Sequence, residues 1–403
     1  MTKKTPAATG TGGGLRSALL VVGVVLLAAN LRPAIIAVAS LIGEIRPDAG
    51  LSNGTAGLLT TLPLLAFGLL SPVAPRLARR FGMERVLFAG LVVLAAGILL
   101  RSQGTVAALF LGTATLGAAI AVGNVLLPAV IKRSFPDRVG LMTSVYVTAL
   151  AVSAALAAGV SLPISDQLGA GWKTALAVWA IPAFVAAAVW LTQLGRGRQV
   201  DGPDGTSGAP GKVSGLWRSA LAWQVTLFMG LQSLAYYAAL AWLPEILRDG
   251  GMGAAGAGWM LALAQTVGIA AMFLAPVLAG RTPSQRGVVV ASVALSGAGV
   301  LGLLVGGIGL APVWVALLGL GQGACFSLAL TFFALRSADP AHAAALSGMA
   351  QSVGYLLAAA GPFLFGILRD ATHAWTVPLM LLLTIVVCLL ITGLGAARDA
   401  QVG

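Results

Sequence analysis

Residues 15–42 read LRSALLVVGVVLLAANLRPAIIAVASLI, and from Ala18 to Ile42 the only charge is Arg32. A bilayer core is crossed by about 20 consecutive apolar residues in a helix, so this stretch is long enough to span. A guanidinium at bilayer depth costs roughly 2.5–3.5 kcal/mol on insertion scales, so it is placed facing a cavity. Arg stays protonated and presents a flat fork of donors suited to planar oxyanions. Pro33 has no N–H for the Ala29 carbonyl, which predicts a kink beside Arg32. A fixed cation, an amide (Asn30) and loosened backbone together are the material of a small-anion site.

The remainder of the chain repeats the apolar theme. Of 403 residues 58% are hydrophobic and 9% charged, which excludes a soluble globular domain and predicts an all-α polytopic membrane protein. Apolar runs recur at about 15–42, 54–74, 86–100, 105–130, 139–161, 173–194, 217–243, 254–279, 287–308, 312–335, 344–368 and 376–395, a total of twelve. No cleavable leader is expected, because Met1–Gly14 is polar and the run behind it is long enough to remain as a span.

The halves echo each other. Arg16–Ser17–Ala18–Leu19 returns as Arg218–Ser219–Ala220–Leu221, Leu41–Ile42–Gly43–Glu44–Ile45 as Trp242–Leu243–Pro244–Glu245–Ile246, and Arg133–Ser134 as Arg336–Ser337. Two six-helix halves in parallel topology follow. The expected division is a flexible tail 1–14, a first half 15–194, a Gly/Pro/Ser-rich linker 195–216, a second half 217–396 and a tail 397–403. Eighteen of the 24 Lys and Arg fall in the tails, the linker and one set of connections, and five (Arg46, Arg101, Lys173, Arg248, Arg369) in the other set. The positive-inside bias then puts both termini in the cytoplasm of a bacterial inner membrane. The net charge of +12 is thereby assigned to topology and contact with anionic lipid heads, and no nucleic-acid partner is expected.

All twelve acidic residues and both histidines, His342 and His373, are read into connections. A membrane-embedded carboxylate for cations is therefore not expected, and Arg32 has no ion-pair partner on its own helix. The alternative for Arg32 is a structural cation satisfied by carbonyls of a neighbouring helix. Further polar side chains at depth are Asn124, Gln232, Tyr236, Tyr237, Gln351 and Tyr355, which suit donation to an anion or stacking on a flat solute. Each also reads as a helix-bridging hydrogen bond, as do Gln265, Gln322 and Tyr146. Trp242 reads as an interfacial or gating aromatic and Pro33 as a kink. Cys325 and Cys388 read as buried small hydrophobes. Nothing resembles a catalytic triad, a metal cluster or a phosphate loop, so no enzyme activity, metal or cofactor is expected.

Two sets of motifs carry a family resemblance. Leu77–Ala78–Arg79–Arg80–Phe81–Gly82–Met83–Glu84–Arg85 is similar to the signature between helices 2 and 3 of the major facilitator superfamily, with Arg79 and Arg80 as gating cations. It departs from that signature in having Arg79 in place of the Asp and Glu84 in place of a basic residue. Asn30–Leu31–Arg32–Pro33, Gly123–Asn124 with Pro128, Gln232–Ser233 with Tyr237 and Trp242–Leu243–Pro244, and Gln351–Ser352–Val353–Gly354–Tyr355 together resemble the cyanate permease and 2-nitroimidazole transporter family within it. The resemblance implies a transporter of a small solute, and a monomer is expected. One expectation is secondary active or facilitative transport of a small anionic (cyanate-like oxyanion) or polar planar solute, bound at Arg32 and moved by alternating access. The others are efflux of nitroaromatic or drug-like compounds, and a transporter-like membrane sensor.

Overall fold

The structure, a computed structural model, describes residues 11–167, 171–194, 216–282, 284–338 and 340–402. The linker 195–215 and the tail residues 1–10 lie outside the described residues. The helices are α1 (Thr11–Asn30), α2 (Pro33–Asp48), α3 (Asn53–Leu70), α4 (Ala74–Phe81), α5 (Met83–Arg101), α6 (Val106–Ser134), α7 (Val139–Gln167), α8 (Gly171–Ala177) and α9 (Ala180–Leu191). The second half contributes α10 (Ala220–Asp249), α11 (Ala254–Arg281), α12 (Arg286–Val305), α13 (Ala311–Leu335), α14 (Pro340–Thr372) and α15 (Thr376–Ala396). Among the described residues twelve stretches are long and apolar enough to cross a membrane; α1 with α2 makes the first, and α8 with α9 the sixth.

Both composite spans break for a stated reason. At Leu31–Arg32 the ladder closes early, with Leu31 N–H on the Ala28 carbonyl at 3.1 Å, and restarts when Ile35 and Ile36 donate to the Arg32 carbonyl. Pro33 opens α2, where its missing N–H costs nothing. In the sixth span Pro182 withholds an N–H from Val178, and Ile181 bonds that carbonyl at 3.0 Å in its place. Asn30 stitches the two breaks together: its Nδ2 donates to the Leu26 carbonyl at 2.7 Å and to the Pro182 carbonyl at 3.1 Å.

The halves meet along three helix pairs: α3 on α14, α7 on α11, and α2 on α10. Glycine permits the first contact, because a Cβ at Gly57 would run into the Pro362 carbonyl. Thr61 Oγ1 donates to the Ala359 carbonyl at 2.7 Å in the same seam. At one end of the bundle, here called the latched end, Asp370 accepts from the N–H groups of Asn53 and Gly54 at 3.0 and 2.7 Å. Arg46 reaches Asn53 Oδ1 at 2.7 Å and stands 3.9 Å from Glu245, which also holds Arg248 at 3.1 Å. The opposite, basic end carries Arg79, Arg133, Arg281 and Arg336.

Several expectations are corrected here. α1 begins at Thr11, so residues 11–14 are helical. Many of the acids and one histidine lie in terminal helical turns, not in connections: Glu44 and Asp48 in α2, Glu84 in α5, Glu245 and Asp249 in α10, Asp370 and His342 in α14. The helices simply outrun their apolar cores by one to several turns. Two of these carboxylates are buried, Glu84 and Glu245 at 6% exposure each, and both face arginine, Glu84 pairing with Arg133. Arg101 is not in a connection but wholly buried, donating to the Ala34 carbonyl at 2.5 Å with two guanidinium nitrogens unpartnered. Trp242 is not interfacial: it is fully buried, its Nε1 on the Pro362 carbonyl at 2.8 Å. Cys388 is exposed, because α15 turns one face away from the bundle, while Cys325 is buried.

Candidate functional site

Arg32 is the last residue before α2 and its backbone (φ −114°, ψ −40°) belongs to the break itself. The break turns the guanidinium out of the first half towards the second. There Nη1 donates to the Tyr237 hydroxyl on α10 at 2.9 Å, a bond across the two halves near the middle of both spans. Arg32 makes no ion pair among the described residues. A phenol oxygen is thus the acceptor, and it supplies a dipole where a cation would favour a full negative charge.

Around this bond lies a cavity of about 100 Å³. A buried water needs about 10–15 Å³ of such space, so the cavity takes several waters or one small solute. Arg32 and α7 (Val147, Leu150, Ala151, Ala154) line it from the first half. The second half supplies Gln232, Ser233, Tyr236 and Tyr237 from α10, Gln265 and Met272 from α11, Gln322 and Phe326 from α13, and Tyr355 from α14. Tyr236 and Tyr237 meet edge to face, centroids 5.0 Å apart at 81°. Gln265 Nε2 donates to the Tyr236 hydroxyl at 2.8 Å, leaving that O–H free to donate onward. Tyr355 sits edge-on to Phe67 of α3 at 5.6 Å, so an aromatic contact from the main seam borders the site. Glycine sets this wall: Gly268, Gly319 and Gly323 bring α11 and α13 into backbone contact along the cavity.

Of the candidates from sequence, Arg32, Gln232, Tyr236, Tyr237 and Tyr355 converge on this cavity. Asn30, Asn124 and Gln351 do not line it. Asn30 is spent on carbonyls of its own half, as described above, and Gln351 Nε2 donates to Ser347 Oγ at 2.8 Å along α14. Gln232 itself donates to Ser233 Oγ at 2.7 Å, so it is partly occupied by its neighbour. Gln265 and Gln322, which the sequence ranks as mere helix bridges, do bridge, Gln322 to the Ala235 carbonyl at 3.2 Å, yet both also face the cavity. Val147, Met272 and Phe326 carried no signal, since helices apolar on every side hide which face points inward. Arg79 and Arg80 are exposed on α4, far along the chain from the cavity lining, Arg80 lying 5.1 Å over the Phe81 ring.

Twelve spans in two halves with a cavity between them, into which Arg32 and several hydroxyl and amide groups face, are the architecture of a membrane transporter. The chain belongs to the Major Facilitator Superfamily, whose family model matches residues 18–362. It is 48% identical to an uncharacterized transporter, YycB, of Bacillus subtilis, over 96% of each chain. It is 43% identical to the 2-nitroimidazole transporter of Escherichia coli, over 96% of this chain and 98% of that one. Identity to the cyanate transport protein CynX of Escherichia coli is 31%, over 86% and 88%. Among solved structures, a variant of the nucleoside transporter NupG superposes with a TM-score of 0.77 at 13% identity, covering 94% of this chain and all of that one. That likeness concerns the fold alone.

Proposed function

We propose that the protein carries a small planar solute that is anionic or bears a strongly electron-rich group, bound at Arg32 between the halves and released by alternating access. The observation that supports this reading is the Arg32–Tyr237 bond: a guanidinium in the central cavity whose described acceptor is a neutral phenol. An incoming oxyanion displaces the phenol oxygen from Nη1, and the freed Tyr237 O–H turns to donate to the same anion. The latch between the halves is thus exchanged for a solute-bridged one, which couples binding to their movement. Tyr236, Gln232 and Tyr355 supply further donors and aromatic edges. The protein works as a monomer with both termini on the cytoplasmic side of a bacterial inner membrane, and does so without catalysis.

A second reading, export of flat nitroaromatic compounds, draws on the wall chemistry. Three phenols with Met272, Phe326 and Leu150 suit a flat ring better than a bare triatomic anion, and a relative is named a 2-nitroimidazole transporter. Flux of cyanate, benzoate-type carboxylates and 2-nitroimidazole into and out of proteoliposomes distinguishes the readings. Arg32→Gln is expected to weaken saturable flux of the true solute, raising its apparent KM about tenfold to a hundredfold, and Arg32→Lys to restore part of it. Undiminished flux through Arg32→Gln removes Arg32 from the site.

A further inference from the structure

A second hollow, an open groove of about 520 Å³, lies on the first half where α3, α4, α5 and α6 meet. It shares no lining residue with the central one. Its walls are hydrocarbon, with Leu77 and Phe81 from α4 and Val93 from α5, and its one charged lining residue is Arg85. The bottom is made by small residues, Gly90 facing Ala119. A Cβ at Gly90 would meet nothing nearer than the Ala119 carbonyl at 3.9 Å, so the slot is open there.

The rim is as informative as the slot. α4 is too short to span, and it turns Leu77 and Phe81 into the groove while Arg76, Arg79 and Arg80 stand exposed. That is the pattern of a helix lying in the plane of a membrane interface, apolar side down. Arg76, Arg79, Arg80 and Arg85 make no ion pair among the described residues.

We propose that this groove is a binding site for an anionic phospholipid, one acyl chain lying in the slot over Gly90 and the phosphate held by Arg85 and the arginines of α4. Apart from Arg85 the slot is apolar and offers water little to bond, so between membrane-spanning helices hydrocarbon fills it. Arg85 in the lining and the exposed arginines of α4, none of them in an ion pair among the described residues, favour an acidic headgroup over a zwitterionic one. The lipid then ties α4 to α5 beside α3, the helix that carries the main seam to the second half.

The test is native mass spectrometry of the full chain in detergent with equal phosphatidylglycerol and phosphatidylcholine of matched chain length. The wild type is expected to retain one phosphatidylglycerol at least fivefold over phosphatidylcholine. Gly90→Leu, which fills the slot, loses that lipid, and Ala119→Leu does the same from the facing wall should Gly90→Leu not fold. Arg85→Gln combined with Arg80→Gln keeps a lipid but loses the fivefold preference. Equal retention of both lipids by the wild type, or a preference that survives the filled slot or the paired Gln substitutions, overturns the proposal.

Discussion

Asp370, in the last turn of α14, caps Asn53 at the first turn of α3, so a carboxylate of one half closes the helix N-terminus of the other. It accepts from Asn53 N–H at 3.0 Å, from Asn53 Nδ2 at 2.7 Å and from Gly54 N–H at 2.7 Å. Those N–H groups have no partner within their own helix, and the helix dipole adds to the attraction for negative charge. The cap exists only while the halves meet at this end, so its energy belongs to one conformation of the transporter.

Removing that cap is therefore a conformational experiment. Charge-assisted hydrogen bonds contribute about 1.5–3 kcal/mol, and 1.4 kcal/mol is tenfold in a population ratio. Asp370→Ala is expected to raise opening of the latched end about tenfold. Alkylation of a cysteine placed at Thr61, which bonds Ala359 inside the seam, reports it in a Cys388→Ser background. An unchanged alkylation rate would show that the cap does not hold the halves together.

Tyr237→Phe separates latch from ligand. The substitution deletes the acceptor that Arg32 uses in the empty site and one donor for a bound anion, so the two losses partly cancel. Apparent KM for an anionic solute is expected to rise by roughly tenfold or less, against about tenfold to a hundredfold for Arg32→Gln. Concentration-dependent flux in proteoliposomes gives both figures. A Tyr237→Phe effect as large as that of Arg32→Gln would place Tyr237, not the guanidinium, at the centre of recognition.

At the basic end the two halves solve one problem with different chemistry. Arg133 pairs with Glu84, and their counterparts in the second half are Arg336 and Gln285, which also bond. Arg336 makes good the missing carboxylate with the Ala396 carbonyl at 2.8 Å, the Phe332 ring at 5.4 Å and Asp399 at 3.9 Å. Because a Gln already serves in the second half, Glu84→Gln is expected to cost only about 1 kcal/mol, Arg133 being partly solvent-screened. Glu84→Leu strips the bond altogether and is expected to lower the apparent Tm further. Thermal unfolding in detergent ranks the three proteins, and equal Tm values for all would mean that the pair contributes nothing.

Arg101 invites a substitution that runs against intuition. It is fully buried, bonds only the Ala34 carbonyl and leaves Nε and Nη2 without partners. Replacing a poorly compensated buried charge by an apolar side chain of similar length is often neutral or stabilising by about 1–4 kcal/mol. Arg101→Met is expected to leave the apparent Tm unchanged or higher. A Tm lower by several degrees would mean that the grip on the first turn of α2, beside Arg32, outweighs the desolvation of the cation.

Much of the fold is legible in the order of residues, because a bilayer imposes a one-dimensional rule. Apolar runs of spanning length, broken by charge, give twelve spans, and the echo of Arg133–Ser134 in Arg336–Ser337 gives two halves. Arg32 stands out on the same ground, since a lone guanidinium in such a run is expensive anywhere but in a cavity. What the linear code could not carry is direction around each helix axis. Asn30 and Tyr237 look equally eligible in sequence, yet the break at Leu31–Arg32 sends the amide into its own half and the guanidinium across to the other. Gln265 and Gln322 look like ordinary bridges until the glycine contacts of α11 and α13 set their faces towards the cavity. Glu245 and Asp370 look like loop acids until the helices run past their apolar cores and bring them to the seam. Hydrophobicity along the chain set how many times it crosses; only packing between helices, through glycine approaches and freed carbonyls, decided which polar groups meet.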